Sequence, residues 1–451
     1  MKPATPNAFR LMHEGSLALS KMECNGMPVC METLAKVKAA VDHEIREVEE
    51  QLRTSEEYAL QRRRFGTKTK LGSREQLATV LYKDMGLEGA KVNEDTGNIV
   101  LDDEALKQID SPYTRLFQRA QKFQKLKSTY LNGIERELCG ERIHGVFNLH
   151  LVQTYRSSAD SPNLQNMPIR DPEIGMLLRS VIRPKPGKVI VEIDYSALEV
   201  HIAACYHRDP TMLEYLETGH DLHRDVAIEC YKLDKIEKPI RTAVKSFFTF
   251  AEFYGDYYAS IARNLWKYAE THKMLSGTLL VDHLKNKGLT HLGHEQAMAA
   301  DSYMQYIYNV DKVFWGERFP VYDRWRRAWY QDYQRNGYFH TLTGFRVWGV
   351  YKRNEVINSP VQGSAFHCLL RSVIEVQRRI EERKMGAKLI AQTHDSLLAE
   401  VPEEELHEYI AMATEVMTTW LKSQWKWIIT PISTEVEVGE SWASKRPYSK
   451  T

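Results

Sequence analysis

Val189-Ile190-Val191-Glu192-Ile193-Asp194-Tyr195-Ser196-Ala197-Leu198-Glu199-Val200-His201 joins two kinds of local order. After Pro186-Gly187, a short β-branched run predicts a buried strand. The run ends on a carboxylate, Asp194. Leu198, His201, Ile202 and Cys205 then repeat at helical spacing, so a helix begins within a few residues. A carboxylate at the mouth of a strand, followed at once by a helix, sits on rigid scaffold and faces a cleft, which suits a metal ligand. Taken alone, the stretch reads more simply as a strand ending in a helix-capping Asp.

Near the other end, Lys388-Leu389-Ile390-Ala391-Gln392-Thr393-His394-Asp395-Ser396-Leu397-Leu398-Ala399-Glu400-Val401 predicts two short strands around a tight turn at His394-Asp395, closed by Pro402. Asp is at home in a turn, so this stretch alone means little. Together, the two stretches resemble the metal-binding motifs of family A DNA polymerases, the bacterial polymerase I type. The first is similar to D-Y-S-x-x-E, the second to H-D between apolar strands. The resemblance implies an α+β right-hand fold with an antiparallel-sheet palm, a helical thumb and helical fingers. It implies a template-directed DNA polymerase that adds dNTPs to a primer 3′ end and releases pyrophosphate.

Composition bounds the setting. A length of 451 residues leaves room for about three domains. The 43% hydrophobic content suffices for large cores. A net charge of +1 does not announce a nucleic-acid binder, so any grip on phosphates must be local. No apolar run approaches the roughly 18 residues of a membrane span, and residues 1–10 lack a secretory core. Cys24, Cys30, Cys139, Cys205, Cys230 and Cys368 form no C-x-x-C and no zinc spacing. They predict reduced, mostly buried thiols in a cytoplasmic protein; the family resemblance implies bacterial cytoplasm, or host cytoplasm for a phage-encoded enzyme.

Residues 8–30 predict an N-terminal helix that stops at Asn25-Gly26. Lys21-Met22-Glu23-Cys24-Asn25-Gly26-Met27-Pro28-Val29 is similar to the start of the family's polymerase region, which there follows an exonuclease-like domain. Only a short segment precedes it here, and no proofreading exonuclease is expected in this chain. Asp42-His43-Glu44 has the D-x-E form that opens such a site, but it falls mid-helix. Leu34, Val37, Val41, Ile45, Val48 and Leu52 recur every three or four residues and predict one amphipathic helix over residues 31–53. A second long helix is predicted from Tyr113 to Leu138. Between them lies an irregular basic tip with Arg62, Arg63, Arg64, Lys68, Lys70 and Arg74. Composition leaves a solvated charge run and a phosphate grip equally open. Leu71-Gly72-Ser73-Arg74-Glu75-Gln76-Leu77 resembles the family's thumb tip, S-x-x-Q-L, and so implies the grip, with Arg63, Arg64 and Lys68 on DNA.

Thr154-Tyr155-Arg156-Ser157-Ser158-Ala159-Asp160-Ser161-Pro162-Asn163-Leu164-Gln165-Asn166-Met167-Pro168-Ile169-Arg170 is the longest resemblance. The family pattern is T-G-R, then serines, then P-N-x-Q-N-x-P-x-R, and Tyr155 replaces its Gly. This implies that Arg156, Asn163 and Gln165 touch the minor groove near the primer end, where acceptors are nearly the same in every base pair. Arg170 is implied to reach the incoming dNTP. Residues 211–338 are helical and aromatic-rich and resemble the fingers. Asp221-Leu222-His223 is similar to the family's D-x-H, so His223 would bond a triphosphate oxygen.

Arg241 and Lys245 share a helix face at i,i+4, and two cations there suit phosphates and a leaving pyrophosphate. The segment onward to Phe250 and Tyr254 resembles the family's nucleotide-binding helix. Lys245 and Tyr254 stand nine residues apart where the family has eight. At about 100° per residue, the extra residue swings Phe250 and Tyr254 off the Lys245 face. Either a π-bulge at residues 246–249 restores the face, or Phe248 takes the place of Phe250. The four-residue spacing of Phe250 to Tyr254 favours the bulge.

Residues 339–350 predict a hairpin turning at Thr343-Gly344. Asn358-Ser359-Pro360-Val361-Gln362-Gly363-Ser364-Ala365 is similar to N-x-P-x-Q-G-[ST]-A and opens a long helix to Arg383, with Asn358 and Gln362 implied at the DNA. Residues 435–442 resemble the family's last strand and ending. The implied divisions are 1–30, a palm/thumb helix; 31–144, thumb; 145–210, first part of the palm; 211–338, fingers; and 339–451, second part of the palm.

Attack of a primer hydroxyl on an α-phosphorus calls for two Mg²⁺ ions, for which Mn²⁺ substitutes, and Mg²⁺ prefers carboxylate oxygens. Asp194 and Asp395 are the expected ligands, with the Tyr195 backbone carbonyl. Lys245 joins the two aspartates as a catalytic residue, and His394 is expected at the DNA. The family's His-Asp is usually followed by Glu; here Ser396 leaves the third carboxylate missing. Glu192 shares a strand face with Asp194 and either adds charge near the metals or, the favoured reading, faces solvent. Glu199 with Tyr254 is implied to exclude a 2′-hydroxyl. Ala197 and His201 replace a Gln and an Arg common in the family. The Phe-rich nucleotide helix and the expected lack of an exonuclease resemble a phage-type enzyme, with a separate exonuclease, helicase or processivity factor among implied partners. The rival is a non-catalytic DNA-binding relative in a replication complex. Ser396 supports it; Asp194, Asp395, Arg241 and Lys245 argue against it.

Overall fold

The computed structural model describes residues 2–93, 97–154, 156–163, 165, 167 and 171–449. Helix α1 (Pro6–Asn25) starts where Thr5 accepts the Ala8 amide at 3.2 Å, and it stops at Gly26, whose φ is +61°. Helix α2 (Met31–Arg53) buries Leu34, Val37, Val41, Val48 and Leu52 on one face. Helix α3 (Pro112–Lys125) packs against it and continues through a π-helical turn to Arg136. That is short of the expected end: Leu138 pairs with Ile143 in a small sheet instead. Asp42 and Glu44 tie the two helices by ion pairs to Lys127 (2.7 Å) and Arg119 (2.5 Å), a structural use of the D-x-E.

The tip between α2 and α3 is more regular than expected. It holds helices Glu56–Phe65, Arg74–Thr79 and Asp103–Ile109 and a paired Lys91–Val92 and Ile99–Val100. Ser55, Ser73 and Asp102 each cap one of these helices. Leu77, Leu81, Leu101, Leu106 and Phe117 share a core beneath them.

Strand β1 (Lys188–Tyr195) leads through Ala197, in left-handed conformation (φ 51°), into helix α4 (Leu198–His207). After a helix at Pro210–Thr218 come α5 (Leu222–Tyr231), α6 (Lys238–Val244) and, after further helices, α7 (Pro320–Asn336). Tyr231, Phe248, Tyr303, Phe314 and Phe319 fill the core of this aromatic-rich region. A hairpin turns at Gly344 as expected.

Helix α8 (Arg353–Glu382) begins ahead of Asn358, so Pro360 lies inside it rather than near its start. Proline cannot donate to the carbonyl four residues back. The Trp329 indole on α7 donates to that carbonyl, of Val356, at 3.1 Å and satisfies the acceptor that the proline leaves without a helical donor.

Strands β2 (Lys388–Thr393), β3 (Ser396–Pro402), β4 (Thr434–Gly439) and β5 (Arg446–Pro447) complete a sheet ordered β2-β3-β1-β4-β5, antiparallel throughout. One face buries Val191, Ile193, Tyr195, Leu397, Ala399 and Val401 in the core that α1 and α8 share. Each Val, Ile and Leu among them contributes about 1.5–3 kcal/mol. The other face packs Ile190, Ile390 and Leu398 with Trp442 and α2, then opens at Asp194. Cys205, Cys230 and Cys368 are buried, but Cys24 and Cys139 are exposed and Cys30 is half-buried, so only half of the thiols follow the expectation. No helix among the described residues is long and apolar enough to cross a membrane.

Trp329→Phe keeps the ring and strands the Val356 carbonyl. It is expected to lower the urea unfolding midpoint by about 1–2 kcal/mol in stability. Adding Pro360→Ala supplies a helical amide and should recover the loss. Equal midpoints for the parent and the single variant would refute this account.

Candidate active site

Sheet register brings the two aspartates together. Ser396 pairs with Asp194 across β3 and β1, and the Tyr195 amide donates to the Asp395 carbonyl at 3.3 Å. The His394-Asp395 turn therefore closes over the end of β1. His394 holds φ 53°, and buried Gln392 donates to its carbonyl at 2.8 Å. Ser157 and Gln165 donate to the Gln392 side-chain oxygen at 2.6 and 2.8 Å, tying the 156–165 loop to the turn. Asn163 accepts the Gln165 amide at 3.2 Å. Gln392 and Ser157 were not singled out from the sequence. A Gln in an otherwise apolar buried strand was the available signal, since buried polar groups need partners.

Asp395 Oδ1 is buried without a hydrogen-bond partner. Burial raises the Asp395 carboxyl above its usual range, against the pull of Arg156 and His394. Asp194 is pushed up to about 7 by burial and by the charges of Asp395, Glu192 and Glu435. Its surface opens to the cleft, so water offsets part of the burial cost, and the repulsion among carboxylates is the more durable cause. Two adjacent carboxylates, one with an unpartnered oxygen, fit a hard divalent cation. Among the described residues, no group of three or more His, Cys, Asp or Glu side chains is arranged to hold a metal.

Glu192 is neither solvent-facing nor a free charge beside the aspartates. It pairs with Lys445 and accepts from Trp442 Nε1 at 2.9 Å and Ser396 Oγ at 2.8 Å. Burial works against its charge, but these partners more than offset it and hold the carboxyl below its usual range. Lys445 lies 253 residues away in sequence, beyond any local pattern. Ser396 Oγ also contacts the Thr393 carbonyl at 2.9 Å, so its hydroxyl is engaged within the sheet.

A cavity of about 320 Å³ opens beside this pair, lined by Arg156, Glu199, Phe250, Tyr254, His394 and Asp395 among others. The Tyr254 hydroxyl donates to Glu199 at 2.5 Å, and Arg156 pairs with the other Glu199 oxygen. Asn358 and Asn354, on α8, donate to the Tyr254 and Gly255 carbonyls at 3.0 and 2.9 Å. Residues Lys245–Thr249 form a π-helical turn, the bulge expected from the nine-residue spacing. It leaves the Lys245 ammonium 5.2 Å from the Phe250 ring, which is 5.7 Å from His223 and 6.0 Å from Tyr254. Phe248 instead packs on Phe314 at 5.3 Å and is fully buried.

A second cavity of about 310 Å³, lined by Asp221, His223 and Arg241, shares Ala197, Val200 and Phe253 with the first. Arg241 makes two bonds to Asp221, at 2.5 and 3.0 Å. Burial and the neighbouring Lys245 and Arg241 push His223 down to about 4, so its ring is neutral at pH 7. Gln362 is half-buried on α8. At the tip, Arg63 and Lys68 are exposed, whereas Arg64 is engaged by Asp84 at 2.5 Å. Arg170 lies outside the described residues.

Comparison with known proteins agrees across the chain. The family model for DNA polymerase family A matches residues 32–277 and 287–444. The thermostable DNA polymerase I of Thermus thermophilus is 27% identical, over 96% of this chain and 47% of its own length. The DNA polymerase I of Bacillus caldotenax is 24% identical, over 95% and 45%. The chain thus spans about half the length of the curated relatives it matches. Among solved structures, the POL domain of Pol1 from M. smegmatis, in complex with DNA primer-template and dNTP, superposes with a TM-score of 0.74. It is 24% identical, and the match covers 96% of this chain and 70% of that one. The fold is the α+β right hand, with an antiparallel-sheet palm and helical thumb and fingers.

The Asp194 shift makes a pH prediction for the protein in EDTA. The folded state disfavours the ionised carboxyl, so the cost is absent below the unfolded value of 3.8 and grows as pH rises through about 7. Asp194→Asn should therefore be more stable than the parent at pH 8, by about 1 kcal/mol after solvent screening. The advantage should fade toward pH 4. Urea midpoints that differ by the same amount at every pH would contradict it.

Proposed function

The chain belongs to DNA polymerase family A, and from that premise we propose that it is a template-directed DNA polymerase, adding dNTPs to a primer 3′ end by two-metal nucleotidyl transfer with release of pyrophosphate. The observation that carries this reading is the Asp194–Asp395 pair, of which Asp395, with an unpartnered carboxylate oxygen, lines the cavity that Glu199 and Tyr254 also line. Asp194, Asp395 and the Tyr195 carbonyl would hold the cations. Bound Mg²⁺, or Mn²⁺ in its stead, would supply a lowered pKa for the primer hydroxyl and charge for the departing pyrophosphate.

The remaining chemistry falls to the chain's own side chains. Lys245 and Arg241 would bind the triphosphate, Arg241 exchanging Asp221 for phosphate, and neutral His223 would donate one hydrogen bond to a phosphate oxygen. Phe250 offers a ring on the same helix face for the base. Glu199, held by Tyr254, would fill the space where a ribose 2′-hydroxyl would lie. Arg156, Asn163, Gln165, Asn358, Gln362 and His394 would meet the duplex, and Arg63, Arg64 and Lys68 its phosphates further along. Arg170 joins the dNTP site on resemblance alone. On this reading residues 1–30 join the palm to the thumb, 31–144 are the thumb, 211–338 the fingers, and 145–210 with 339–451 the palm.

Extension of a labelled primer on a DNA template with Mg²⁺ and dNTPs tests the proposal. Asp395→Ala is expected to cut the rate by about two orders of magnitude or more. Primer incubated without dNTPs should not be shortened from its 3′ end. If parent and variant both fail to extend, with Mn²⁺ supplied, yet bind primer–template equally, the protein is a DNA-binding relative without catalysis, the reading that Ser396 favours. Glu199→Ala should raise ribonucleotide use relative to dNTP by about tenfold; an unchanged ratio would remove the sugar gate.

A further inference from the structure

The helix that carries Phe250 ends at Tyr254, and that end is held from outside the helix. Beyond the π-helical turn the helix runs through Phe250–Phe253, and the Tyr254 amide donates to the Phe250 carbonyl at 2.8 Å. A helix end leaves its last carbonyls without helical donors. The Gly255 amide donates to the Glu252 carbonyl at 3.1 Å and the Asp256 amide to that of Ala251 at 2.8 Å. Among the described residues, no backbone amide donates to the Tyr254 or Gly255 carbonyl. Side chains of α8 do so instead, Asn358 to the first at 3.0 Å and Asn354 to the second at 2.9 Å. The two asparagines stand four apart and so share a helix face.

Asn354 approaches closely enough to require a glycine. Gly255 holds φ +84°, where a residue with a Cβ is strained. A Cβ there would lie 2.3 Å from Asn354 Oδ1. Tyr254 is thereby fixed at two points. Its backbone is pinned to α8, and its hydroxyl donates to Glu199 at 2.5 Å. The ring itself is 40% exposed at the cavity wall, so packing alone holds it loosely. Asn358 lines the cavity, whereas Asn354 sits one helical turn behind it and reaches the cavity through Gly255.

We propose that Asn354 is a positioning residue for sugar selection. By holding the Gly255 carbonyl it keeps the Tyr254 hydroxyl against Glu199, and through that pair it sets how firmly a ribose 2′-hydroxyl is excluded. The inference rests on the polymerase reading above and on its sugar gate. It gives a role to a residue that lies before the stretch Asn358–Ala365, from which Asn358 and Gln362 were singled out.

The test is primer extension by the full chain with Mg²⁺, reading kcat/KM for a ribonucleotide against the matching dNTP. Asn354→Ala removes the donor, and Asn354→Asp keeps the shape while losing it. Each should raise the ribonucleotide share by about fivefold, the scale of one hydrogen bond's contribution. Glu355→Ala breaks a bond of the same helix turn, from the Lys352 amide at 2.7 Å, without touching Gly255. It should leave the ratio as in the parent, which separates positioning from fraying of α8. In a Glu199→Ala chain, Asn354→Ala should add nothing further, because the two act through one contact. A ratio unchanged in both Asn354 variants, a rise equalled by Glu355→Ala, or a full additional rise in the Glu199→Ala chain overturns the role of Asn354 and leaves the polymerase reading standing. A parent that extends no primer, with Mn²⁺ supplied, removes the polymerase reading and this inference with it.

Discussion

Repulsion between the Asp194 and Asp395 carboxylates is the constraint around which the chain is built. The Asp395 charge raises the proton affinity of Asp194 and burial raises that of Asp395, so the pair costs stability unless a cation or a proton intervenes. The structure holds them there by burying what lies behind them. Val191, Ile193, Leu397 and Ala399 are locked into the core with α1 and α8. A slip of one residue would turn that apolar set outward. The register is therefore enforced by apolar burial, and the aspartates are carried to the cleft by it.

Elsewhere the chain neutralises its charges internally. Lys445 takes Glu192 and Glu437, Asp221 takes Arg241, and Arg156 with Tyr254 takes Glu199. Lys445 is well covered and offsets the charge of two acids near Asp194. The others line the cavities and are partly open to solvent. Pairs of that kind contribute about 0–1 kcal/mol each, so they orient side chains without locking them. The π-helical turn at Lys245–Thr249 serves the same region by geometry. One extra residue is absorbed, and Lys245, Phe250 and Tyr254 come back to one face.

Much of this was legible in the residue order, because it depends on neighbours. The span of α2 followed from the three-or-four spacing of its apolar residues, and the end of β1 and the His394-Asp395 turn from the break in pattern around each aspartate. The bulge could be anticipated only once the resemblance set the family's eight-residue spacing against the nine found here. The quoted motifs added which side chains to look for. The structure brings Asp395, Glu199, Phe250 and Tyr254 to one cavity and His223 and Arg241 to a second that shares lining residues with it, with Asp194 next to Asp395 and Lys245 near Phe250.

What only the tertiary structure decided is how polar and conformationally awkward residues are satisfied. Glu192 looked exposed because strand alternation says nothing of Lys445, far along the chain. The long helix was expected to open at Asn358, and no local pattern shows that Trp329 meets the Val356 carbonyl inside a helix that starts earlier. Gln392 drew no notice until Ser157 and Gln165 converged on it. The physical reason is common to all three. Periodicity and turn chemistry act over a few residues, so the sequence by itself determined the elements and the acidic side chains at their ends. The cost of burying a polar group depends on partners that arrive from distant segments, so the partners were decided only by the packed fold.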